Sequence, residues 1–233
     1  HGRAMTTLDM EVQKLAGTQL AVVCRHSYFQ ALGVGIDPRH VHFVPNGVDT
    51  ERFRPQRIRS GALRTRFGVA AATPLVGFVG RLSAEKGPDL FLRMALSVRA
   101  QIPTSEFVLV GEGTMLKQLQ TFAKRFGIAD AVHFAGSQDD MPAVYNELDV
   151  VVSSSLSEAM PLAVMEAMAS GIPVVACKVG GIPDLVAHGV TGWLADAGDV
   201  EMLATRVVEL LADDALRSAV GEAARERAVA RMG

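Results

Sequence analysis

The chain alternates short, Val-rich and mostly apolar runs with longer segments whose apolar residues recur every three or four positions. The runs fall at 75–79, 107–110, 131–134, 150–153 and 173–176. Each has the length of a strand and is apolar at successive positions, so both of its faces need cover. The longer segments supply it. Leu90, Met94 and Val98 share one helical face after Pro88, while Leu116, Leu119, Phe122 and Phe126 share another after Thr114, which the sequence offers as an N-cap. Two further helices, at about 199–212 and 214–231, close the chain. Strand and helix alternating in this order predict an α/β fold built on a doubly wound parallel sheet of Rossmann type.

The first fifty residues are patterned differently. A helical stretch to about Ala16 leads to a strand at 20–24, another helix, and a strand at 41–44 that stops at the turn signal Pro45-Asn46-Gly47. The following stretch from Asp49 to Thr73, with Arg52, Arg54, Arg57, Arg59, Arg64 and Arg66, reads as a linker plus a short basic helix. The expected organisation is therefore a remnant of one α/β unit at 1–50, a linker at 51–73 and a second unit at 74–233. Without the sheet such a remnant would join, Leu20, Val22 and Phe29 are expected to be poorly covered.

Charge narrows the ligand classes. Lys and Arg total 23 against 25 Asp and Glu, a formal charge of −2, so no overall field attracts nucleic acid or an anionic membrane. Any phosphate must be held locally. The two cysteines, Cys24 and Cys177, each close an apolar run without C-x-x-C spacing and read as reduced, buried residues. No apolar stretch reaches the roughly 18 residues of a membrane span and the first residues lack a signal-peptide layout. The expected location is the cytoplasm, any membrane contact being peripheral and at its inner face.

Open parallel sheets bind ligands beyond the carboxyl ends of their strands. After the first strand of the larger unit comes Gly80-Arg81-Leu82-Ser83-Ala84-Glu85-Lys86-Gly87-Pro88. Gly80 permits close backbone approach, and Pro88 suits the first position of a helix. Lys86 would lie just before that helix, where the dipole disfavours a cation. With Arg81 nearby, this points to an anion held between two cations and a helix end; a solvated surface lysine accounts for the same residue. On the first reading, Lys86→Ala and Arg81→Ala should weaken anion binding at no cost to the empty fold.

After the fourth of these strands, Pro161 opens a helix that Gly171 closes, leaving the backbone N–H groups of Leu162, Ala163 and Val164 without intrahelical partners. Glu158 stands ahead of this helix and Glu166 within it. A carboxylate beside phosphate serves to accept hydrogen bonds from hydroxyls, which suggests a ligand with phosphates in its middle and hydroxyls at its ends. Equally, Glu158 is ordinary dipole chemistry and Glu166 a solvent-facing helix residue. His40 and His42 share one face of a strand whose other face Val41 and Phe43 fill, the pattern of a solvated edge more than of a metal site.

Glu158 and Glu166 form an E-x7-E pattern, and the stretch from Glu158 to Ala176 resembles the group 1 (family 4) retaining glycosyltransferases. So do Val44-Pro45-Asn46-Gly47-Val48-Asp49, Gly77-Phe78-Val79-Gly80-Arg81-Leu82 with Lys86-Gly87, Val110-Gly111-Glu112-Gly113, and Gly180-Gly181-Ile182-Pro183-Asp184 with Gly189 and Thr191-Gly192. The resemblance implies the C-terminal, donor-binding half of the two-Rossmann-domain GT-B architecture, with the end of the acceptor-side domain before it. It implies transfer of a sugar from a nucleoside-diphosphate sugar to an acceptor hydroxyl, the acceptor being a sugar or lipid-linked glycan, without metal or cofactor. Arg81 and Lys86 would hold the diphosphate and neutralise the leaving group, and Glu158 would face the donor sugar. Gly80, Gly111, Gly113, Met160, Leu162, Ala163 and Glu166 would line the nucleotide-sugar site, with Glu166 on the ribose and the base near 133–137.

Pro161 departs from the family's usual glycine-rich loop and cannot donate a backbone hydrogen bond, and Asp184 stands where a glutamate is more usual. An enzyme of this kind needs a fuller N-terminal domain than 1–50 supplies, so the second expectation is a donor-binding subunit or fragment that awaits a partner half. A nucleotide-sugar 2-epimerase of the same architecture would share the ligand but not these motifs.

Overall fold

The computed structural model describes residues 18–56 and 60–233; the helix expected before Ala16 lies outside them. The larger sheet has six strands, all parallel: β3 (Leu75–Val79), β4 (Glu106–Val110), β5 (Val132–Gly136), β6 (Val150–Ser153), β7 (Val174–Cys177) and β8 (Gly192–Ala195). Their spatial order is β5-β4-β3-β6-β7-β8. The chain winds outward from β3 through β4 to β5, then returns to β6 on the other side of β3 and winds the opposite way. The doubly wound sheet expected from the sequence is the one observed, and its topological switch point lies between β3 and β6.

Side chains alternate across this sheet. Val76, Phe78, Phe107, Leu109, Val150 and Val152 enter one core, covered by α3 (Pro88–Gln101), α4 (Leu116–Arg125) and α8 (Val200–Ala212). Leu75, Val108, Val110, Val151 and Val174 enter the other, covered by α5 (Met141–Glu147), α6 (Leu162–Ala169) and α9 (Asp214–Arg231). Full burial of a side chain such as Phe91 or Phe107 contributes about 1.5–3 kcal/mol. Asp199 and Asp213 cap the two closing helices, accepting from the N–H groups of Met202 and Leu216 at 2.9 Å.

Three expectations need correction. Thr114 is not an N-cap: α4 starts at Leu116, its entry fixed by the Met115 N–H donating to the Leu82 carbonyl at 3.1 Å. Phe126 lies beyond the end of α4 and is 49% exposed, its ring tilted against Phe122, while the buried face is Leu119 and Ala123. The prediction that Leu20 and Val22 are poorly covered also fails. β1 (Leu20–Val22) pairs in parallel with β2 (Val41–Phe43), and α1 (Arg25–Gly33) closes a small core of Leu20, Val22, Ala31, Ile36 and Val41. Phe29 is exposed, as expected, but so is Phe43. Cys24 and Cys177 are buried and unbridged.

The arginine-rich segment is tied to the larger unit. Arg64 is buried, paired with Asp149 at 3.0 Å and bonded to the carbonyls of Ala70, Thr73 and Glu147. Glu147, equally buried, caps the short helix α2 (Ala62–Phe67) from afar, accepting from the N–H groups of Leu63 and Arg64. Arg225 of α9 donates to the carbonyls of Thr50, Phe53 and Ala169. Among the described residues, no helix is long and apolar enough to cross a membrane.

Candidate functional site

The loops that leave β3 and β6 meet at the switch point, where such sheets place their ligands. They are held together by backbone. The Leu156 N–H donates to the Glu85 carbonyl at 2.8 Å, and the Ser154 hydroxyl donates to the Gly87 carbonyl at 2.7 Å. Gly87 has φ +61°, and a Cβ there would collide with the Ser154 carbonyl, so only glycine allows this approach. The loop after β7 closes in from the other side: the Gly181 N–H donates to the Ala159 carbonyl at 2.7 Å, and Gly180, φ +53°, lies flat against the Glu158 carbonyl.

This packing brings Lys86 to Glu158. The Lys86 ammonium lies 2.7 Å from Glu158 Oε1, to which the Ser155 hydroxyl also donates at 2.7 Å. The Glu158 side chain is 8% exposed and that of Lys86 24%. Lys86 is therefore not an unpaired cation, and the expectation that its removal would leave the empty fold untouched is wrong: without it a buried carboxylate keeps only a hydroxyl. Arg81 is open to solvent, 3.7 Å from Glu85 on its own loop. Gly80 and Gly111 are in backbone contact, and Gly113 packs on the Leu82 backbone.

Helix α6 points its N-terminus at the same place, with Pro161 as cap and no side chain satisfying its first amides. Leu162 is half exposed there. The Met160 side chain is buried, and its carbonyl accepts from the Asn46 amide at 3.0 Å, which ties the loop to the end of the first unit. Glu166 is half-buried and not free: its Oε2 accepts from the Tyr145 hydroxyl at 2.8 Å. Burial raises the Glu166 carboxyl above its ordinary value, opposed by the Tyr145 hydrogen bond and the charge of Arg52. Burial likewise pushes the Tyr145 phenol well up, reinforced by the neighbouring carboxylate.

Residues 62–227 match the family described as Glycosyl transferases group 1. The chain belongs to this family. A D-inositol 3-phosphate glycosyltransferase of Corynebacterium jeikeium is 33% identical over 224 residues, covering 91% of this chain and 54% of that protein. The crystal structure of Anabaena Alr3699/HepE in complex with UDP superposes with a TM-score of 0.88 at 26% identity, over 98% of this chain and 64% of that one. The C-terminal domain of a glycosyl transferase group 1 family protein (LpcC) from Francisella tularensis gives a TM-score of 0.71 at 27% identity, over 79% and 98%. The chain spans about half the length of the curated relatives it matches.

Beside the switch point this group 1 glycosyl transferase chain has a cleft of about 430 Å³ at the carboxyl ends of β4 and β5, lined among others by Arg66, Gly111, Gly113, Phe134 and Gly136. His133, which opens the 133–137 stretch expected to meet the base, points elsewhere: it bonds Glu106 at 2.6 Å and stacks on Phe67. His40 and His42 both bond the Gln19 side chain, and no group of three metal-ligating side chains occurs among the described residues. Asp184, whose place in the site the sequence left open, caps α1 across the molecule by accepting from the Arg25 N–H at 2.8 Å. Sequence reasoning missed Tyr145 and Ser155. Ser155 stood in the serine run after β6, but Tyr145 lies on α5, a helix whose signals, Asp140 and Pro142, went unread.

Proposed function

We propose that this chain carries the donor site of a retaining glycosyltransferase, binding a nucleoside-diphosphate sugar without a divalent metal. The observation that carries the reading is the Lys86–Glu158 pair at the switch point, beside the open N-terminus of α6. An incoming diphosphate competes with Glu158 for the Lys86 ammonium, with Arg81 and the α6 amides as further donors. Its arrival releases the Glu158 carboxylate, still oriented by Ser155, to accept hydrogen bonds from the donor sugar. Tyr145 fixes one oxygen of Glu166 and leaves the other for the ribose, while the cleft at the carboxyl ends of β4 and β5 takes the base. As the glycosidic bond breaks, negative charge grows on the diphosphate, and Lys86 and Arg81 stabilise it where it forms. Attack of an acceptor hydroxyl on the same face, through an oxocarbenium-like state and with its proton passing to the departing diphosphate oxygen, retains configuration.

The relatives' length supports a second element: the acceptor and much of the water exclusion come from a further domain, so the isolated chain binds donor but transfers little. Orienting two reactants can be worth about 7–11 kcal/mol of barrier. Thermal unfolding with UDP and GDP, with and without magnesium, tests the donor site. Saturation at about a hundred times the dissociation constant should add about 2.7 kcal/mol, a rise of several degrees. No rise with any common nucleoside diphosphate would refute it, and equal losses for UDP and UDP-sugar in Glu158→Gln would refute the sugar-facing role of Glu158.

A further inference from the structure

A second cleft, of about 250 Å³, opens between the start of α1, the four-residue helix α7 (Ile182–Leu185) and the end of α9. Three arginines line it, Arg25, Arg227 and Arg231, against one carboxylate, Asp184. That carboxylate is already engaged by the Arg25 backbone N–H, and the Arg25 guanidinium stands 3.9 Å from it with most of its surface open to solvent. Arg227 donates from Nε to the Leu185 carbonyl at 2.5 Å and from Nη2 to the Asp184 carbonyl at 3.0 Å, which fixes its plane but supplies no counter-charge. Arg231 is exposed and has no carboxylate partner among the described residues. Burial lowers the Arg227 value from the ordinary guanidinium range, the nearby charge of Arg231 lowers it further, and Asp184 offsets only part. The cleft thus gathers three guanidinium groups against a single carboxylate that is already engaged.

We propose that this cleft is a second oxyanion site, distinct from the donor diphosphate site, and that it holds a phosphate ester. A guanidinium fork matches phosphate oxygens bidentately, and Arg227 is held rigid for the purpose. Phe43, Met160 and Met232 form an apolar wall beside the charges, suited to the organic side of an ester more than to free phosphate. Met160 stands two residues beyond Glu158 and is anchored by Asn46, so the occupant lies against the loop assigned to the donor sugar. Resting on that donor assignment, the bound ester is the anionic end of an acceptor whose reacting hydroxyl the further domain orients.

The test uses glycerol 3-phosphate as probe and the Arg227 Nε–H resonance as reporter, with UDP saturating the donor site. The expected result is a saturable shift that Arg231→Ala and Arg25→Ala each weaken about tenfold or more, with UDP affinity unchanged in both variants. No shift, a shift that sodium chloride at equal ionic strength reproduces, or one that Arg231→Ala leaves unaltered would overturn the site. A phosphate response without any UDP binding would uphold the cleft and remove the acceptor assignment with the donor reading. Co-sedimentation with phosphatidylcholine vesicles, with and without phosphatidylinositol, separates the sources. Retention only by the phosphatidylinositol vesicles, lost in Arg231→Ala, identifies a lipid headgroup; a response to the soluble probe alone identifies a soluble ester.

Discussion

Tyr145→Phe isolates one hydrogen bond in the candidate site. Tyr145 is fully buried, its ring edge-on to Phe53 at 6.0 Å, and phenylalanine fills the same space without a cavity. What is lost is the 2.8 Å bond to Glu166 Oε2. A hydrogen bond to a charged group contributes about 1.5–3 kcal/mol; because Glu166 is only partly buried, about 1–2 kcal/mol is expected near neutral pH. The sign of its pH dependence follows from Glu166. Burial raises its folded value, so the folded chain binds this proton more readily than the unfolded chain, and stability falls as pH rises from the ordinary carboxylate value through the raised one. The Tyr145 bond opposes that rise. Removing it shifts Glu166 further up and extends the loss to higher pH. Urea unfolding of both proteins between about pH 4 and 8 should therefore show the cost shrinking to about 0.5–1 kcal/mol where Glu166 is protonated in both. A cost that does not change across this range would refute the charged character of the bond, and no cost at any pH would refute the bond itself.

Lys86→Met should cost about 1–3 kcal/mol by leaving Glu158 buried with only Ser155, and Glu158→Gln in that background should restore most of it; additive losses in a double-mutant cycle of chemical denaturation would show that the two do not interact. Gly180→Ala, which combines φ +53° with a clash on the Glu158 carbonyl, should destabilise by more than about 2 kcal/mol and weaken UDP binding by displacing the loop, whereas Gly189→Ala, with no neighbour to meet, should carry only the backbone strain. Asp184→Ala should cost about 0.5–2 kcal/mol by uncapping α1. Hydrogen exchange should then speed up in α1 while the six-stranded sheet stays protected, and uniform acceleration throughout would contradict a local cap.

Most strands of the larger sheet were legible because a strand buried on both faces is apolar at nearly every position, and such runs have few other uses. Most of its helices were legible from period and from Pro88 and Pro161 at their starts, but α5 was not, although Asp140 caps it and Pro142 lies in its first turn. β8 escaped because four residues opening with Gly192 carry no period, and α7 because one turn is too short for one. The loops after β3 and β6 could be picked out from sequence alone, since strand order and chain direction decide where a parallel sheet leaves its backbone groups open. Which charges meet there could not. The Lys86–Glu158 pair spans 72 positions and depends on Gly87 and Gly180 letting three loops touch; the Tyr145–Glu166 bond depends on how α5 and α6 pack; and the arginine cleft draws its members from both ends of the described chain. Local pattern reports the burial and conformation of each segment, because these act on neighbouring residues. Pairing of charges across segments is set by the three-dimensional path of the backbone, and only the tertiary structure contains it.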